Sequence, residues 1–233
     1  MQHSFDESDN EISLFYLYQR PPYCTIEMHS IMKQRFESEG DMSVTWTTAV
    51  GAESAYFERC THSTTVFEGR IMKVRCDNVA LSNGSCAIRE VVDHVGGVGV
   101  LAFDDDDQVL LVKQYRYPLG RELLEIPAGT LSLGEDPAHC GRRELSEETG
   151  AVAGRFEPLG SFVPTPGFSG HKLYLFMATE LEFGECHLDE DELLSVIRMP
   201  FSDLVERVMN GTIEDAKTVV SVLMMLALRS TSK

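Results

Sequence analysis

Gly129, Glu135 and the run Arg143-Glu144-Leu145-Ser146-Glu147-Glu148-Thr149-Gly150 fall into the pattern G-x5-E-x7-R-E-U-x-E-E-x-G-U, where U is a bulky aliphatic residue. Ala151 stands at the last aliphatic position, a departure that reduces local packing and leaves the chemistry alone. The carboxylates at 144, 147 and 148 are spaced i, i+3 and i+4, so on a helix all three share one face. Like charges so placed destabilise an isolated helix by about 0.2–0.5 kcal/mol per pair. With no compensating cation on that face, the cluster asks for one from outside. An all-oxygen donor set selects hard ions, Mg²⁺ or Mn²⁺, over zinc. The alternative is a solvated acidic helix face; Gly129 and Glu135 upstream and Arg143 beside the cluster weigh against it. Arg143 is placed to pair with one of these carboxylates and orient it.

The elements that hold these residues are legible nearby. Asp136 is suited to N-cap a helix with Pro137 at its first position, where the missing N–H costs nothing. Gly150 is a natural terminator, which predicts a helix from about Pro137 to Thr149. Upstream, GRIMKVRCDNVAL and SCAIREVVDHV flank Ser82-Asn83-Gly84, and Asn-Gly between strands predicts a type I′ hairpin. GVGVLAF, a turn at Asp104 to Asp107, VLLVKQYRY and ELLEIPAG supply further strands. After the helix come strands near Phe156–Val163, Leu173–Ala178 and SVIRMP, then helices at about 201–210 and 214–229. Mixed strands with two or three helices fit the α/β (α+β) class as an α/β/α sandwich. Residues 1–55 show no sustained periodicity. They read either as a flexible extension or as the product of an upstream start, with Met42 as the alternative. The expected division is 1–55 extension, 56–93 a small antiparallel β-subdomain, and 94–230 the main domain.

Composition sets limits. Twenty Lys+Arg against 37 Asp+Glu give a net charge of −17, which argues against nucleic-acid or acidic-membrane binding through bulk charge. An anionic phosphate substrate then requires divalent cations and local arginines to invert the field in the pocket. Six cysteines without C-x-x-C spacing read as thiols in a reducing cytoplasm rather than as a disulfide frame or zinc site. No apolar run approaches the ~20 residues that span a bilayer, and no secretion signal is evident. The expectation is a soluble cytoplasmic protein.

The box residues resemble the signature of the Nudix hydrolases. The resemblance extends from about residue 62 to 229. REVVDHVGGVGVLAFDDDDQVLLVKQYRYPLGRELLEIPAGTL and IEDAKTVVSVLMML look like the ADP-ribose pyrophosphatase branch, and Pro166, fifteen residues past the box, is a further marker of it. The resemblance implies a Nudix-type sandwich with a mixed sheet. It implies Mg²⁺-dependent (Mn²⁺ possible) cleavage of ADP-ribose to AMP and ribose 5-phosphate, and a homodimer whose N-terminal sheet helps form the partner's site. Carried over by position, Glu144 and Glu148 are principal metal ligands, Glu147 a direct or water-mediated one, and the Ala128 carbonyl another oxygen. Arg89 and Glu90 resemble a pair contacting adenosine, Arg116 an arginine gripping phosphate, Arg70 and Ile71 residues lining the adenine pocket, and Thr165 and Pro166 a border of the terminal ribose. Alternatives stay open: a cross-strand ion pair for Arg89 and Glu90, a surface role for Arg116, a core position for Ile71.

Catalysis also needs a base to take a proton from the attacking water. By resemblance it comes from the late acidic loop HLDEDELLSV, where Glu190 and Glu192 are the candidates; a merely solvated loop is the alternative. Many relatives carry a glutamate shortly after PGF, but here PGFSGHK puts His171 in that place, as a base, a phosphate donor or a surface residue. Two rivals remain: a Nudix hydrolase for another nucleotide sugar or a dinucleotide, and a catalytically silent ADP-ribose sensor. The intact glutamates, and the absence of a basic helix-turn-helix pattern after the domain, argue against the sensor.

Overall fold

A computed structural model describes residues 55–188 and 193–231. The extension up to residue 54, with Met42, lies outside the described residues, as do Glu190 and Glu192. The chain opens with β1 (Glu58–Glu68), β2 (Lys73–Leu81) and β3 (Cys86–Asp93), an antiparallel sheet in that order. The β2–β3 connection is not the expected type I′ turn, which needs left-handed backbone at two central residues. Among its residues only Gly84 has positive φ, 86°. Its N–H donates to the Leu81 carbonyl (3.0 Å), and the Leu81 N–H donates to the Ser85 carbonyl (2.9 Å). Asn83 stays right of the left-handed region because its Oδ1 is taken up by the Ser85 N–H and hydroxyl, at 3.0 and 2.6 Å. The result is a three-residue loop with glycine at its one left-handed position.

The chain continues as β4 (Gly97–Ala102), β5 (Gln108–Arg116), a 3₁₀ turn (Tyr117–Leu119), β6 (Arg121–Glu125), β7 (Ala128–Thr130), α1 (Pro137–Thr149), β8 (Ala151–Phe162), β9 (Leu173–Phe183), β10 (Leu194–Pro200), α2 (Phe201–Met209) and α3 (Ala216–Thr231). One sheet has the order β7-β4-β9-β8, with β4 and β9 parallel and the other pairs antiparallel; the second has the order β10-β5-β6. This is the mixed sandwich the sequence predicts. The run GVGVLA of β4 is buried throughout, as a strand covered on both faces must be. Alternation then sorts its side chains. Val98, Val100 and Ala102 join the clusters built with α1 residues Cys140 and Leu145, and Leu101 and Phe103 join the cluster that contains Leu204, Val208, Val222 and Met225 from α2 and α3. Ala151 is fully buried among small neighbours, Ala102, Ala153 and Ala178. No helix among the described residues is long and apolar enough to cross a membrane.

Helix α1 has the predicted ends. Asp136 Oδ1 accepts the His139 N–H at 2.9 Å, Pro137 occupies the first turn, and Gly150 closes the helix in the left-handed conformation. Asp136→Ala removes a cap worth about 1 kcal/mol and Asp136→Ser retains it. Urea unfolding should therefore show a lower midpoint at unchanged slope for the alanine variant only; equal midpoints would mean that the cap contributes nothing.

Candidate active site

The buried residues of α1 are Pro137, Cys140, Gly141, Glu144, Leu145, Glu148 and Thr149. Positions 137, 140, 141, 144, 145 and 148 form the stripe a helix turns toward its core. Two of the three expected metal-binding carboxylates therefore lie on the packed side of the helix, not on its wet side. Glu144 is 9% exposed and Glu148 2% exposed. A solvated acidic face is excluded for both.

What holds these charges is a set of local contacts. Arg143 spreads its guanidinium over three carboxylates: Nη1 to Glu147 Oε2 at 2.8 Å, Nη2 to Glu144 Oε1 at 2.9 Å, and Nε to Glu135 Oε1 at 3.3 Å. Burial works against the Arg143 charge, but Glu135, Glu144 and Glu147 outweigh it and raise its pKa. Glu135 also accepts the Ser132 N–H at 2.9 Å. That backbone bond first, with Arg143 adding to it, holds the Glu135 carboxyl at about 2. Cys140, 3.4 Å from Arg143 Nη2, is buried, and burial pushes its thiol up to about 12, so it is a packing residue.

Strand β7 supplies the opposite wall. The Ala128 N–H donates to Glu148 Oε2 at 2.9 Å. Gly129 is required by close approach: a Cβ there would lie 1.9 Å from both Cδ and Oε1 of Glu144. The first glycine of the pattern thus makes room for its first glutamate. Among the described residues, no group of three or more His, Cys, Asp or Glu side chains closes into a cage, because Glu144 and Glu147 both turn toward Arg143. The donor set nonetheless fits a hard divalent cation: oxygens only, on one face of a helix, with two of the carboxylates buried.

The other predicted residues divide. Arg116 sits at the end of β5, its side chain 40% exposed, with Nε and Nη2 each 2.7 Å from Glu125. Its pKa is raised, chiefly by that hydrogen bond, with Asp215 and Glu148 contributing through space, so it lies within the field of the box. Arg89 forms a two-point ion pair with Glu58 at 2.7 and 2.8 Å, the ion-pair alternative in part; Glu90 lies opposite Cys76 in the β2–β3 register. Arg89 and Glu90 line a cavity of about 770 Å³ together with Val66, Ile88, Gly167 and Phe168, among others. Arg70 and Ile71 lie exposed in the β1–β2 turn and do not line it. Ile71 is 59% exposed, which removes the core alternative. Thr165 accepts the Phe168 and Ser169 N–H groups on its carbonyl, while its Oγ1 is shut from solvent without a hydrogen-bond partner. Pro166 is exposed in the same turn. This turn is tied to the N-terminal sheet, since the Val92 N–H donates to the Phe168 carbonyl (2.8 Å) and the Ser169 hydroxyl to the Val92 carbonyl (2.7 Å). Because that hydroxyl spends its proton on Val92, His171 Nδ1, 2.9 Å away, must donate to Ser169 Oγ, which leaves Nε2 as the open nitrogen.

Sequence reasoning missed Glu125 and Lys217. Glu125, 1% exposed, ends the strand RELLE, and Lys217, 8% exposed, lies on the buried face of α3 beside Thr218 and Ser221. In settings of such mixed polarity neither charge stands out in the sequence.

The comparisons agree with this geometry. Residues 58–92 match the family described as nucleoside diphosphate sugar hydrolase N-terminal domain. A methanol dehydrogenase activator of Bacillus methanolicus is 40% identical over 67% of this chain and 86% of its own. An ADP-ribose pyrophosphatase of Bacillus subtilis is 38% identical over the same shares. A crystal structure of an ADP compounds hydrolase superposes with a TM-score of 0.69 at 21% identity, covering 78% of this chain and 98% of that one, a likeness of fold. Residues 93–220, more than half of the chain and including the whole α1 cluster, match the NUDIX domain, and the chain belongs to the Nudix family.

Proposed function

We propose that this chain is a hydrolase that splits the pyrophosphate of ADP-ribose into AMP and ribose 5-phosphate, with magnesium as its metal and manganese as a substitute. The observation that carries the reading is the burial of Glu144 and Glu148 against Ala128 and Gly129, in a chain 38% identical to an ADP-ribose pyrophosphatase. Glu144, Glu147, Glu148 and the Ala128 carbonyl would hold the cation. A divalent cation held there would supply Lewis acidity, offsetting negative charge on the phosphates and making water more acidic. Arg143 holds Glu135, Glu144 and Glu147 together and aims them. Arg116 meets a phosphate, and Arg89, Glu90, Arg70 and Ile71 border the adenosine. Thr165 and Pro166 border the ribose. A homodimer through residues 56–93 is supported by β1, exposed along its whole length, and by Val66, Phe67 and Ile88, each more than half exposed. Light scattering should give twice the mass of the 26.0 kDa chain.

Glu190 or Glu192 takes the proton from the attacking water. Support comes from the approach to their loop, where the Gly184 and His187 N–H groups donate to the carbonyls of Gly150 and Glu147, at 2.8 and 3.0 Å. His187 is therefore held at the end of the carboxylate helix.

Glu144→Gln and Glu148→Gln should fold and lose two or more decades of turnover, at about 1.36 kcal/mol per decade. The double variant should fall short of the product, since both act on one unit. Gly129→Ala should match them by displacing the Glu144 carboxylate. Near-normal rates in saturating Mg²⁺ would sink the assignment.

For the base, Gln at 190 or 192 should lower kcat with little change in KM, and activity should partly return at higher pH, where hydroxide replaces the lost base. No effect at either position would move the role to His171 Nε2, and a flattened pH profile for His171→Ala would then be its signature.

Among ADP-ribose, ADP-glucose, GDP-mannose, diadenosine polyphosphates and 8-oxo-dGTP, ADP-ribose should show the highest kcat/KM. Losing the guanidinium in Arg116→Ala should raise its KM roughly ten- to a hundredfold, the equivalent of about 1.5–3 kcal/mol for a charged hydrogen bond. A tenfold lead for another substrate would overturn the substrate and keep the family; binding of ADP-ribose without hydrolysis of any compound would make the chain a sensor.

A further inference from the structure

Arg116 is not a free arginine, and the residues behind it form a buried chain of charge. Its Nε and Nη2 are given to Glu125, so three of its five N–H groups, two on Nη1 and one on Nη2, remain for a ligand. Taken alone, the Arg116–Glu125 pair carries no net charge, a poor lure for pyrophosphate in a chain of −17. Glu125, however, has a second cation. Lys217 Nζ donates to Glu125 Oε2 and, at 2.9 Å, to Asp215 Oδ1. Asp215 in turn accepts the Thr218 N–H and hydroxyl on Oδ2, at 3.0 and 2.6 Å, where α3 begins. Its charge is therefore partly met by the helix N-terminus. Thr218 Oγ1 completes the chain by accepting the Ile126 N–H at 2.9 Å, two residues before Ala128.

A buried lysine is expensive, and apolar residues of like volume commonly serve stability as well or better. The position of Lys217 points to another use. We propose that Lys217 is a positioning residue for the substrate phosphate: it neutralises Glu125 from behind, so that Glu125 fixes the orientation of Arg116 without cancelling its charge. This rests on the reading that Arg116 meets the pyrophosphate. It makes the first turn of α3, far along the chain from the box, part of what sets affinity.

The test compares steady-state kinetics on ADP-ribose for Arg116→Ala, Lys217→Met and the charge-compensated pair Lys217→Met with Glu125→Gln. Lys217→Met should raise KM about tenfold, the factor that 1.4 kcal/mol represents, with kcat within about threefold. The compensated pair should return KM to within about threefold of the parent, because neither buried charge remains. If Arg116→Ala raises KM while Lys217→Met does not, Lys217 is only packing and the proposal fails. A KM in the compensated pair as high as in Lys217→Met also overturns it. If Arg116→Ala itself leaves KM unchanged, the reading of Arg116 has failed instead. Should Lys217→Met not fold, the compensated pair decides: a KM near the parent value supports the proposal, and one near that of Arg116→Ala refutes it.

Discussion

Four carboxylates, Glu135, Glu144, Glu147 and Glu148, lie on one short helix and the loop before it, and three of them touch a single guanidinium. Without Arg143 the repulsion among them would go unanswered, and Glu144 would lose an ion-pair partner in a buried place. With it, three carboxylates are held together beside the buried Glu148, which is the condition for receiving a cation. The arrangement is tolerant of a newcomer because Arg143, its side chain a third exposed, has solvent to turn into.

The scaffold exists to bring the strand wall within reach of this helix. Strand β4 pairs with β7 through Gly97–Thr130, Val98–Gly129 and Gly99–Ala128, which fixes where the Ala128 and Gly129 backbone stands. Helix α1 packs on the same strand through Cys140 and Leu145, and Gly141 gives it room, since a Cβ there would come within 2.9 Å of Phe156. Helix and strand so close need one missing side chain at the point of contact, and Gly129 supplies it. The space a side chain at 129 would take is held by the Glu144 carboxylate.

Sequence made the helix legible to the residue because its signals are local: a capping aspartate, a proline, a glycine, and a three-four spacing of glutamates. Most strands were legible for the same reason, but β1 and the first five residues of β8 were not among the expected strands. The Asn83-Gly84 turn was misread because the dipeptide constrains the backbone less than the hydrogen bonds of Asn83 Oδ1 to Ser85 do. The Arg89–Glu58 pair spans 31 residues and the Lys217–Glu125 pair spans 92. No periodicity rule joins residues at such separations. Each appeared in the sequence only as a charge without its partner.

That separation bears on how so acidic a chain can attract an anionic substrate. Bulk charge works against it, and the Debye length of about 8 Å at physiological ionic strength means that remote lysines cannot help. The cations must stand close to the ligand, where other carboxylates already crowd. A front arginine gripped by one glutamate solves half of the difficulty, since it is rigid but neutralised. A second cation behind the same glutamate solves the other half, because charge acts through a buried carboxylate with little screening. The order Arg116, Glu125, Lys217 reads in that direction, from the exposed face inward. An exposed lysine in place of the buried one would add the same formal charge to the chain and lose most of it to solvent.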